Sequence, residues 1–128
     1  MKPKVNIITL AVDDLQRSLV FYRDGLGLSD ITDGGDHVLF NLQGDLSLVL
    51  LLRTEFDKVA NQSNTTQRFS EISLSHNADR KEEVDTILKS AKAAGGTLTS
   101  GAKEYEWGYS GHFKDPDGHL WEIVYFCV

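Results

Sequence analysis

Sulfur, clustered basic charge and long apolar segments are what this sequence has least of. Its 128 residues include one cysteine, Cys127. No intrachain disulfide can form, and a single thiol has none of the spacing that a thiolate metal site needs. Cys127 reads as a buried thiol at a strand end. Lysine and arginine number 13 against 19 aspartates and glutamates, a net charge of -6. The basic residues are scattered, with no row able to neutralise successive phosphates, so nucleic acid is excluded as an expected partner. The longest apolar stretch, Leu46 to Leu52, is strand length, and no apolar segment follows a basic start as it does in a secretory leader. The expectation is a cytoplasmic protein without membrane contact. A chain of this length forms one domain and buries about two-thirds of its unfolded surface, enough for a real core.

What is present has an order. Val5 to Val12 is β-branched and apolar and predicts a buried strand. Asp13 ends it, with Gln16 in the capping-box position. Leu15, Leu19, Tyr22 and Leu26 then mark one face of a helix that stops near Gly25 or Gly27. Leu28 to Ile31, His37 to Leu42 and Leu46 to Leu52 predict three short strands, broken at Asp33-Gly34-Gly35-Asp36 and at Gln43-Gly44-Asp45. Thr54 to Gln67 is polar and without either period, and reads as a connection.

The order then repeats. Phe69 to Ser75 alternates as a strand, Asp79 and Glu82 form a second capping box, and Val84, Ile87, Leu88 and Ala91 make a helical stripe ended by Gly95-Gly96. Thr97 to Ser100 and a hairpin from Trp107 to Phe126, turning at Asp115-Pro116-Asp117-Gly118, supply three more strands. The fold class is therefore α+β, two tandem βαβββ modules in one domain: module one over 1–53, a linker over 54–68 and module two over 69–128. The expected architecture is a curved mixed sheet around a cleft, with the helices on its convex face.

Alternation assigns side chains to faces. In module two, Ile72, Leu74, Trp121, Ile123 and Tyr125 suit the helix side. Glu71, Ser73 and Ser75 fall on the concave side with Leu120, Glu122, Val124 and Phe126. If residues 115 and 119 pair across the turn, His112 faces Glu122, and Ser110 joins the same side. Module one would present Ile7, Thr9, Ala11, Val38, Leu46, Leu48 and Leu50 inward. An apolar wall facing a polar one is how a small-molecule site is usually lined. Glu122, a carboxylate among large apolar neighbours, is the residue that most needs a partner, since burying it alone costs several kcal/mol, as an order of magnitude.

Two segments, ITLAVDDLQRSLVFYRDGLGL from Ile8 to Leu28 and WGYSGHFKDPDGHLWEIVYF from Trp107 to Phe126, together with the strand and helix between them, resemble the vicinal oxygen chelate superfamily. That superfamily includes glyoxalase I, extradiol dioxygenases, methylmalonyl-CoA epimerase and the fosfomycin- and bleomycin-resistance proteins. The resemblance implies a ligand-binding cleft and frequent homodimerisation. Its metal-binding members hold the ion with one residue on the first strand and one on the fourth strand of each module. Carried over by place, those positions are Ile7, Leu48, Glu71 and Glu122, of which Ile7 and Leu48 cannot bind a metal.

Two readings of function follow. One is a protein that binds a small organic molecule without a cofactor or the four-ligand metal, through Ser73, Ser110, Trp107, Leu48, Ile7, Thr9 and Phe126; a cationic ligand would suit the acidic chain, and the aromatic face of Trp107 a flat one. The other is a glyoxalase-like lyase or isomerase, or a dioxygenase-related enzyme, with Glu122 or Glu71 as base and His112 as partner. A reduced divalent-metal site from Glu71, His112 and Glu122 is the third arrangement the residues allow. His37, His76 and His119 read as solvated positions at turns or strand ends, and Asp13, Asp115 and Asp117 as cap and turn residues.

Overall fold

The computed structural model describes residues 1–59 and 72–127. The chain divides into two compact units, residues 1–66 and 67–128. Each holds a four-stranded mixed sheet with the element order βαβββ, so the α+β class and the tandem modules are as the residues predict.

In the first unit, β1 (Ile7–Val12), β2 (Ile31–Asp33), β3 (His37–Asn41) and β4 (Ser47–Leu52) lie in the order β1-β4-β3-β2. β1 runs parallel to β4, as a helical crossover demands, and the other neighbours are antiparallel. The helix is capped by Asp14, whose side chain accepts the Arg17 N–H at 3.0 Å. Asp13, expected in that role, instead accepts the Arg53 guanidinium at 2.7 Å and ties the end of β1 to the residue after β4. α1 (Leu15–Leu19) passes into a wider π-helical turn over Val20–Gly25, in which the Leu26 N–H reaches back to the Phe21 carbonyl. That widening rotates two adjacent aromatics inward. Phe21 and Tyr22 are both fully buried and meet edge to face at 5.1 Å, and Tyr22 contacts Phe40 of β3 at 6.0 Å.

Phe40 pairs with Leu48, and Val38 with Leu50, so these four fully buried or nearly buried residues lie under the helix. This corrects the expectation that Val38, Leu48 and Leu50 face inward. Ile7, Thr9 and Ala11 do share the opposite face, and their β4 partners there are Ser47, Val49 and Leu51. Two further expectations are corrected. Leu28 to Ile31 is not a strand, the pairing starting at Ile31; and the start of the polar connection forms a helix, α2 (Arg53–Val59). The rest of that connection lies outside the described residues.

In the second unit, β5 (Ser73–Asn77), β6 (Thr97–Tyr105), β7 (Gly108–Lys114) and β8 (Leu120–Phe126) are ordered β5-β8-β7-β6. α3 (Lys81–Ala93) crosses one face with Val84, Leu88 and Ala91 buried. Its N-cap is Arg80, and the Asp79 N–H is satisfied by the Glu83 carboxylate at 3.0 Å rather than through the expected Asp79–Glu82 box. Gly111 lets the helix approach: a Cβ there would stand 2.6 Å from the Leu88 Cδ1. β6 runs to Tyr105, five residues beyond the expected Ser100, with register shifts on either side of Ser100. Ile72, expected under the helix, is exposed and precedes the strand, and Cys127 is exposed rather than buried. Among the described residues no helix is long and apolar enough to cross a membrane.

Candidate functional site

The β7–β8 turn sets the register of everything around it. Asp115 is almost fully buried; its carboxylate accepts the N–H groups of Asp117 and His119 at 2.9 and 2.8 Å, and its own N–H donates to the His119 carbonyl. Pairing then proceeds from Lys114 with Leu120 to Phe113 with Trp121 and His112 with Glu122. Phe113 and Trp121 stack on the helix side, where the Tyr109 hydroxyl also donates to Asp85 of α3 at 2.8 Å. That hydrogen bond raises the Tyr109 pKa above its ordinary value, with burial and the Asp85 charge adding to it. Ser110, His112, Lys114, Leu120, Glu122, Val124 and Phe126 are left on the far face, as alternation predicts.

On that face Glu122 has the partners it needs. The Ser75 hydroxyl donates to Oε1 and the Ser110 hydroxyl to Oε2, each at 2.9 Å. Ser110 is 3% exposed, so its bond is shielded from water. The His112 Nε2 stands 3.9 Å from Oε2, outside hydrogen-bond range, with 33% of the histidine and 26% of the glutamate side chain exposed. A carboxylate offers about four lone-pair sites. Two are filled by serine, and each oxygen retains room for one more donor. The row continues across all four strands, because Ser75 pairs with Glu122, Glu122 with His112, and His112 with Ser100. Hydroxyl, carboxylate, imidazole and hydroxyl thus form one line across the sheet.

Other predicted residues fall elsewhere. Ser73 is on the same face at the start of β5. Trp107 caps the β6–β7 turn, stacked on Tyr105 at 4.7 Å and tilted against Phe126 at 5.7 Å, all three exposed. Val124, between Glu122 and Phe126, is 1% exposed, so the aromatic group is not continuous with the polar row. Ile7 and Thr9 are exposed on the far face of their own sheet, while Leu48 is buried under the helix and unavailable to a ligand. Glu71 lies outside the described residues. Ser75, Ser100 and Lys114 are not among the predicted site residues, although Ser75 stands in alternation with Ser73 and Lys114 with His112; Ser100 joins the row only through its pairing with His112.

The two turns also correct the carried-over ligand positions. The Leu42 N–H bonds the Leu46 carbonyl as the Asp115 N–H bonds that of His119, so Val49, not Leu48, matches Glu122. The left-handed glycine sits one place earlier in the first turn, Gly44 against Gly118, and aligning the glycines slips the register by one. Equally, Ile7 opposite Ser47 matches Ser73 opposite Leu120. Matched in this way from Ile7, the places on the described strands are Ile7, Val49, Ser73 and Glu122, of which Ile7 and Val49 carry no donor atom. Among the described residues no group of three or more His, Cys, Asp or Glu is placed to hold a metal ion.

Comparison with known proteins agrees with this fold. A family model described as the Glyoxalase/Bleomycin resistance protein/Dioxygenase superfamily matches residues 4–123. The chain belongs to that superfamily. Among solved structures it is similar to a glyoxalase-related enzyme from Fulvimarina pelagi, with 29% identity, a TM-score of 0.88 and coverage of 96% of this chain and 88% of that one. A hypothetical protein from S. aureus is 28% identical with a TM-score of 0.84, covering 98% and 94%. A lactoylglutathione lyase from Agrobacterium tumefaciens shares the fold at 23% identity and a TM-score of 0.68, covering 96% and 93%.

Proposed function

We propose that this superfamily member binds a small organic molecule on the far face of its second sheet, with Glu122 as the anchoring acceptor and no metal between ligand and protein. The observation that carries the reading is the pair of serine hydroxyls on Glu122, which hold the carboxylate in place while leaving a lone pair on each oxygen. A ligand N–H or O–H can bond there directly, and the His112 imidazole, free of any hydrogen bond to Glu122, stands beside it as a second polar contact. Such a protein would act by sequestration or transport, and its expected setting is the cytoplasm, with a homodimer as the expected assembly; light scattering would read the latter directly.

A second reading has support in the same place. The similarity to the glyoxalase-related enzyme, together with a half-exposed carboxylate next to an imidazole, suits removal of a proton beside a carbonyl: Glu122 would take the proton and His112 would hydrogen-bond the oxygen on which negative charge develops.

Thermal shift with a metabolite library, run on the wild-type chain and on Glu122→Gln, tests the first reading. Hits that stabilise the wild type and not the variant are expected. No stabilising compound, or hits unaffected by the substitution, would overturn it. Elemental analysis of protein purified without chelators, with a divalent-ion titration, tests the metal-free part: a stoichiometric ion lost on Glu122→Gln would show that Glu122 holds a metal after all.

A further inference from the structure

The far face of the second sheet carries a cation as well as the carboxylate. Lys114 pairs with Leu120, two pairs along from His112 and Glu122 and the next pair on this face, so Lys114 and Glu122 are diagonal neighbours roughly 7–8 Å apart, with their Cβ atoms somewhat closer. No ion pair joins them among the described residues; the ionic neighbour of Glu122 is His112. One flank of the row is closed, because Ser110 and Val124, the next pair on this face towards Phe126, are both buried. The other flank is accessible: Leu120 and Lys114 are half-buried and Ser73 is exposed. A ligand reaching Glu122 therefore approaches over Lys114.

From this juxtaposition we infer that the ligand class is a short zwitterion, a molecule with an ammonium group for Glu122 and a carboxylate for Lys114 separated by a few bonds. The inference rests on the binding reading given above and narrows it. A singly charged cation bound at Glu122 sits near the Lys114 ammonium, and a singly charged anion bound at Lys114 sits near Glu122, so each is attracted by one residue and repelled by the other. A molecule carrying both charges escapes that conflict. The flexible lysine stem lets the charge separation vary by a few ångströms, while the glutamate end is fixed by Ser75 and Ser110. His112, on the Glu122 rung and two residues from Lys114 along β7, is placed to bond the middle of such a molecule.

The test uses amino acids of increasing length as probes: glycine, β-alanine, γ-aminobutyrate and ε-aminocaproate, with butylamine and butyrate as singly charged controls. Binding to the full chain is followed by backbone amide NMR shifts in β7 and β8. One member of the series is expected to bind about tenfold more tightly than either control, a difference of about 1.4 kcal/mol. Glu122→Gln should reduce that member to the affinity of butyrate, and Lys114→Gln to that of butylamine. Lys114 is partly exposed, so its substitution reads recognition without endangering the fold. Amino acids that bind no better than the better control, or a preference that survives both substitutions, would overturn the inference. If butylamine or library compounds then still bind in a Glu122-dependent way, the site stands with a different ligand class; if nothing binds, the site falls with the inference.

Discussion

Ser110→Ala isolates the bond on which the site depends. Its hydroxyl is 2.9 Å from the Glu122 Oε2 and almost completely shielded, whereas Glu122 itself is partly open to water. A hydrogen bond to a charged group contributes about 1.5–3 kcal/mol, and water can restore part of that at a carboxylate with some exposure, so a loss of about 1–2 kcal/mol is expected. For a chain of this size that corresponds to a fall in Tm of roughly 3–8 °C. Urea denaturation at neutral pH would measure it, with unchanged m-values showing that the denatured state is unaffected. The decisive form is a double-mutant cycle with Glu122→Ala: in that background the serine has no charge to bond, and Ser110→Ala should cost about 1 kcal/mol less. If the two costs agree within about 0.5 kcal/mol, the hydroxyl and the carboxylate are energetically independent and the account of Glu122 as a serine-held anchor is wrong.

Three further outcomes follow from the packing. Leu48→Ala, at a fully buried position beside its cross-strand partner Phe40, should destabilise by about 2–5 kcal/mol in chemical denaturation, while Val49→Ala on the opposite face costs clearly less; equal costs would mean the β4 register is misassigned. Gly111→Ala places a methyl 2.6 Å from the Leu88 Cδ1 and close to Ala102, and a loss of about 1–3 kcal/mol is expected, with a less than additive cost when it is combined with Leu88→Ala. Tyr109 has its pKa raised in the folded state, first by the hydrogen bond to Asp85, so its contribution to stability is present below the ordinary tyrosine pKa of about 10 and is lost as pH rises through the higher folded value. Tyr109→Phe should therefore flatten the decline of stability on the alkaline side, and denaturation midpoints that fall in parallel for both proteins would exclude that linkage.

Several features could be read from residues alone because a local chemical mark accompanies them. The two helices announce themselves by apolar spacing and terminal glycines, and the β7–β8 hairpin by Asp115-Pro116-Asp117-Gly118. Glu122 is a polar mark within an apolar strand, so its alternation fixes which side every neighbour takes, and the pairing with His112 followed correctly. The π-helical widening that buries both Phe21 and Tyr22 has no such mark, since a 3.6-residue period admits only one of them.

Sequence by itself determined the class of fold, the tandem repeat and the polar character of the second sheet, because periodicity, turn chemistry and one acidic residue in a strand are local properties. Tertiary structure decided the rest. From Leu48 to Leu52 every residue of β4 is apolar, so no alternation shows which side faces the helix, and only the pairing of Leu48 with Phe40 under Tyr22 settles it. The same long-range pairing moved the matching position from Leu48 to Val49, and brought Ser75, 47 residues from Glu122 along the chain, within hydrogen-bond reach of its carboxylate. Partners chosen by strand pairing across that distance leave no trace in local composition.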